Sequence, residues 1–121
     1  MHLQQLPIKR AVIGASETDV SLGDFALSTY SSKNLRVDID VSGVAGTVTV
    51  RLQNRSAKGP YQDLSSANSS VVLANGTNSI RLNLETAADV VDMPLRKTTR
   101  LLITTGAGAT VTLEGISVQQ G

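Results

Sequence analysis

Residues Leu35 to Gln53 read LRVDIDVSGVAGTVTVRLQ, and their apolar side chains fall on alternate positions. Alternation of period two marks a half-buried strand, because successive side chains on an extended chain point to opposite faces. Leu35, Val37, Ile39 and Val41 therefore face a core, with Arg36, Asp38, Asp40 and Ser42 outward. Val48, Val50 and Leu52 repeat the pattern, leaving Thr47, Thr49, Arg51 and Gln53 outside. The connector Ser42 to Gly46 holds two glycines, which supply the positive φ that tight hairpins need. The two segments are predicted to pair as an antiparallel hairpin.

The same signal recurs twice. In Ser70 to Glu85, SVVLANGTNSIRLNLE, the dipeptide Asn75-Gly76 is a strong type I′ turn signal, and Ile80, Leu82 and Leu84 alternate after it. In Arg100 to Val118, RLLITTGAGATVTLEGISV, the segment Gly106 to Gly108 separates two apolar runs, giving a third predicted hairpin. Leu101, Leu102 and Ile103 are consecutive, which suits a strand covered on both faces, inside a sandwich or at a subunit contact. Val111 and Leu113 have odd numbers while Ile116 and Val118 have even ones. A one-residue bulge at Glu114-Gly115 brings all four to one face.

Ala11 to Ile13 and Phe25 to Tyr30 read as short strands on either side of a polar, turn-rich segment, Ser16 to Asp24. Glu85 to Met93 is a weak helical candidate that Pro94 stops within a turn or two. About eight strands with turn signals near every ten residues predict an all-β fold, either an antiparallel β-sandwich or a closed barrel. The preferred form is a jelly-roll-like sandwich spanning residues 11–121 as one domain, with residues 1–10 as a flexible N-terminal arm.

Composition narrows the function classes. The chain has 121 residues, 40% of them hydrophobic, which suits one compact domain. There is no cysteine, so disulfides, thiolate metal sites and thiol nucleophiles are excluded. A formal net charge of +1 gives no strong field toward nucleic acid or an anionic membrane, and neither is an expected partner. No apolar run approaches the roughly 20 residues of a spanning helix. The opening MHLQQLPIKRAVIGAS has no signal-peptide pattern, so folding in the cytoplasm of the producing cell is expected.

Residues able to perform chemistry are sparse. His2 is the one histidine and sits near the start of the chain, whereas triads and zinc sites need a rigid, surrounded imidazole. No serine stands in a nucleophile-elbow pattern. Asp38 and Asp40 lie about 7 Å apart by strand rise, a spacing that suits glycoside hydrolysis or calcium, although cross-strand ion pairing with Arg51 explains them more simply. Asn54-Arg55-Ser56, Asn68-Ser69-Ser70 and Asn75-Gly76-Thr77 match the glycosylation acceptor but read as turn chemistry. A carbohydrate-binding module needs exposed rings, and with Phe25 and Tyr30 assigned to packing only Tyr61 is left as a platform. No enzyme activity, cofactor or metal is expected.

Three segments carry a resemblance: KNLRVDIDVSGVAGTVTVRLQNRSAKGPYQDL (Lys33 to Leu64), SVVLANGTNSIRLNLE, and MPLRKTTRLLITTGAGATVTLEGISVQQ (Met93 to Gln120). In order and style they resemble small virion proteins encoded beside the major capsid gene of tailed bacteriophages, most closely the capsid decoration, or cement, proteins. That likeness implies a β-sandwich or jelly-roll that trimerises on the outside of the expanded head and bridges subunits of the major capsid protein. Under it, the expected contact residues are Leu3, Leu6 and Ile8 on the N-terminal arm, with Lys97, Arg100 and Leu102 as a second group. A tail, baseplate or head-fibre accessory module shares the same scaffold and is the alternative, ahead of the carbohydrate-binding module.

Overall fold

The computed structural model of the chain describes residues 2–26, 34–55, 60–63, 69–83 and 98–120. Among the described residues there are ten strands: β1 (His2–Leu6), β2 (Val12–Ile13), β3 (Val20–Ala26), β4 (Asn34–Ala45), β5 (Val48–Arg55), β6 (Gln62–Asp63), β7 (Ser70–Val72), β8 (Gly76–Asn83), β9 (Thr98–Thr105) and β10 (Thr110–Gln120). The helical candidate Glu85 to Met93 and residues 27–30 of the predicted second strand lie outside the described residues.

All pairings are antiparallel and form two sheets. Sheet A runs β1-β10-β4-β8, with β2 continuing the β1 edge on β10; sheet B runs β3-β9-β5-β6, with β7 also on β5. With β1 and β2 counted as one interrupted strand, and β6 and β7 as another, first pairs with last, second with seventh, third with sixth and fourth with fifth. This is the strand order of a jelly roll, the sandwich expected from the turn spacing.

The order corrects the three predicted hairpins. Each joins strands of opposite sheets: β4 to β5, β7 to β8, and β9 to β10. Their side chains face one another across the core, and the connectors are arches over its ends. Alternation specifies that one face of a strand is buried; it does not specify the neighbour, so the period was right and the pairing was not. Gly46 (φ 70°) tops the first arch, where a Cβ would stand 2.9 Å from the Cβ of Ala109 on the third arch. At the second arch Gly76 has positive φ but Asn75 does not, so the type I′ turn is absent. Asn75 Oδ1 instead accepts the Val44 N–H at 2.8 Å, and Asn78 bonds both the N–H and the carbonyl of Ala74.

The predicted inward residues of β4 and β5 are buried, together with Ile80 and Leu82 of β8 and Leu101 and Ile103 of β9. Burying each such side chain contributes about 1.5–3 kcal/mol, which makes this layer the main source of stability. In β10 the ladder steps from Leu113 opposite Val41 to Gly115 opposite Asp40, leaving Glu114 as the extra residue. Val111, Leu113, Ile116 and Val118 consequently all reach the core, as the parity change required.

β3 begins earlier than predicted, at Val20 within the segment read as turn-rich, because a bulge between Ser21 and Gly23 accommodates Leu22 and Phe25 in the same core. In the segment expected as an arm, His2–Leu6 is an edge strand paired along Ile116–Gln120. Leu6 is 5% exposed and belongs to the core, and Ile8 packs partly buried against it. Leu6 Cδ1 lies 3.6 Å from where a Cβ on Gly23 would stand, so Leu6 seals the seam between the β1 edge of one sheet and the β3 edge of the other.

Candidate functional surface

The expected contact residues do not converge. Leu3 is 57% exposed on β1, while Leu6 and Ile8 turn toward the core, so they do not form one apolar clamp. Lys97 lies outside the described residues. Leu102 stands opposite Arg51 and Ser21 on the outer side of β9, yet it is only 1% exposed. The doubly apolar stretch is therefore covered on both faces within the chain, which removes Leu102 as a free contact.

Around Leu102, the outer face of sheet B carries a continuous polar network. Arg51 Nη1 reaches Asp19 Oδ1 at 2.7 Å, and its Nε donates to Asp63 Oδ1 at 2.9 Å. Gln53 Nε2 donates to the same Asp63 oxygen at 2.8 Å, and Gln53 Oε1 accepts Nε and Nη2 of Arg100 at 3.0 and 2.7 Å. The Arg100 guanidinium lies 3.7 Å over the Tyr61 ring. Thr104 Oγ1 completes the far end at Asp19.

The network joins the lead-in to β3 with β5, β6 and β9, and so staples both edges of the sheet to its centre. The Arg51 hydrogen bond holds the Asp19 carboxyl below its ordinary range; Gln53 first and Arg51 second do the same for Asp63, and both carboxylates push Arg51 upward. Alternation correctly turned Arg51 outward, but the partners assigned to it were wrong because β4 is in the other sheet. Asp19 and Asp63 lie 32 and 12 positions from Arg51, and no local spacing rule connects them. Arg100 also occupies one face of Tyr61, the ring that a sugar would stack on.

Sheet A presents a different outer face. Asp38 is bonded by Arg36 Nε at 2.9 Å and by the Ser79 hydroxyl. Burial alone raises the Asp38 pKa, but the Ser79 and Arg36 hydrogen bonds outweigh it and hold the carboxyl low. Asp40 accepts the Thr77 hydroxyl, and Glu114 accepts the Ser42 hydroxyl at 2.7 Å. The paired carboxylates of β4 thus serve cross-strand hydrogen bonding to β8. Beside them the Glu114 bulge opens a notch of about 370 Å³. Among the described residues no group of three His, Asp or Glu side chains converges on a metal position.

No protein-family model matches the chain, and no curated protein matches it.

Proposed function

We propose that the chain is a capsid decoration protein of a tailed bacteriophage, binding the outside of the head as a homotrimer and bridging subunits of the major capsid protein. The observation that carries this reading is where the resembling segments fall in the fold. They contribute strands β4 to β10, which lie in both sheets and leave out only β1, β2 and β3 of the described strands, so the likeness is spread over both layers and not confined to one local motif. Such a protein works by shape: rigid faces make many modest contacts, and symmetry multiplies them through avidity.

Both outer faces have the required character, since side-chain networks on sheets A and B tie neighbouring strands together. Among the described residues, the large apolar side chains that stand exposed for a partner are Leu3, Val12 and Val72, each more than half exposed. Cryo-electron microscopy of the producing phage tests the reading. Jelly-roll density at local threefold positions on the head is expected; density confined to the tail or baseplate replaces this proposal with the accessory-module one.

A further inference from the structure

The notch on sheet A has Gly115 as its floor, Asp40 and Glu114 as acidic walls, and Gln5, Ile8 and Ser117 among its remaining lining. Gly115 is not demanded by its backbone, since its φ is outside the left-handed region. A Cβ there would meet Asp40 Oδ2 at 3.5 Å, an ordinary contact, so alanine fits within the chain. Glycine inside a strand weakens it and commonly marks a place where another group comes close. Gly115 borders the Glu114 bulge, and its missing side chain also leaves the notch open.

The chemistry of the walls defines the occupant. Thr77 and Ser42 each fix one oxygen of Asp40 and Glu114, which orients the carboxylates without neutralising them. Among the described residues no cation lines the notch. Ile8 offers aliphatic surface for a methylene stem, and two carboxylates suit a charged head that donates several hydrogen bonds. A volume near the lower end of ligand sites accepts a side chain more readily than a large ligand.

We propose that this notch is a socket for an arginine side chain presented by a protein partner. The inference does not depend on the virion reading, because it rests on the shape and charge of the notch alone.

The test is a nuclear magnetic resonance titration of the isotope-labelled full chain with N-acetyl-arginine methylamide and with its uncharged citrulline counterpart. Saturable amide shifts at Gln5, Gly115 and Ser117 are expected with the arginine compound and none with citrulline. The double variant Asp40→Asn, Glu114→Gln keeps an acceptor for each hydroxyl, and should bind at least tenfold more weakly with its other resonances unchanged. Gly115→Ala fills the floor and should weaken binding with the fold intact. Absent shifts, shifts scattered over the surface, equal shifts with citrulline, or indifference to both variants overturn the proposal. So does a calcium chloride titration that moves the same amides while the arginine compound does not, which reassigns the notch to a divalent cation.

Discussion

Arg51 of β5 donates its Nε to Asp63 of β6 at 2.9 Å, and this contact ties the edge of sheet B to its interior. The same guanidinium holds Asp19 at the opposite edge, so one side chain spans the sheet. Replacing Arg51 with Gln removes both ion pairs. The partners are substantially exposed, and exposed pairs contribute about 0.2–1 kcal/mol each, so urea unfolding should show a loss near 1 kcal/mol in total. A loss below the error of the measurement contradicts the staple.

The carboxylates of Asp19, Asp38 and Asp63 are held below their ordinary value of 3.8. For a group whose folded pKa is depressed, the stabilisation is present above the unfolded pKa and is lost as pH falls through the folded one. Stability from these groups should be level at neutral pH, then decline as pH drops through 3.8 toward the lower folded values. Unfolding midpoints measured across that range check this. Arg51→Gln should flatten the decline, since it returns Asp19 and Asp63 toward ordinary behaviour.

Leu6 and Leu3 lie on one edge strand and make opposite predictions. Leu6→Ala opens the seam beside Gly23 and should cost about 2–5 kcal/mol, as for other buried leucines. Leu3→Ala alters an exposed position and should stay within about 0.5 kcal/mol. Removing residues 1–10 takes away β1 together with Leu6, and should lower the unfolding midpoint strongly. Equal, small effects from both single variants contradict a structural role for β1.

The bulge in β10 makes a sharper test. Deleting Glu114 removes the extra residue, so Leu113, Gly115 and Ile116 alternate regularly and every inward side chain stays inward. That deletion should give a soluble, cooperatively unfolding protein. Deleting Ser117 reverses Val118 relative to Ile116 and should abolish the native fold. Circular dichroism and urea unfolding of the two deletions distinguish these outcomes.

Much of the architecture was legible in the sequence, and the limit was physical. Alternation exposed the inward faces of β4, β5 and β8, the run Leu101 to Ile103 exposed a strand buried on both faces, and the parity change in β10 located its bulge to the pair Glu114-Gly115. Pairing was not legible, because adjacent strands that face each other across a core carry the same period as strands that lie side by side. Asn75-Gly76 was misleading for that reason: Asn75 caps Val44 on a neighbouring arch and does not close a hairpin. The surface was least legible, since Asp19, Arg51, Asp63 and Arg100 meet only after the sheets are assembled.

The proposed decoration role is decided by sedimenting the purified chain with expanded phage heads that lack it. Saturable binding at three chains per threefold position is expected, with heads that withstand more heat with the chain than without it. A chain that stays in the supernatant at saturating concentration, or that sediments with tails alone, contradicts the decoration role.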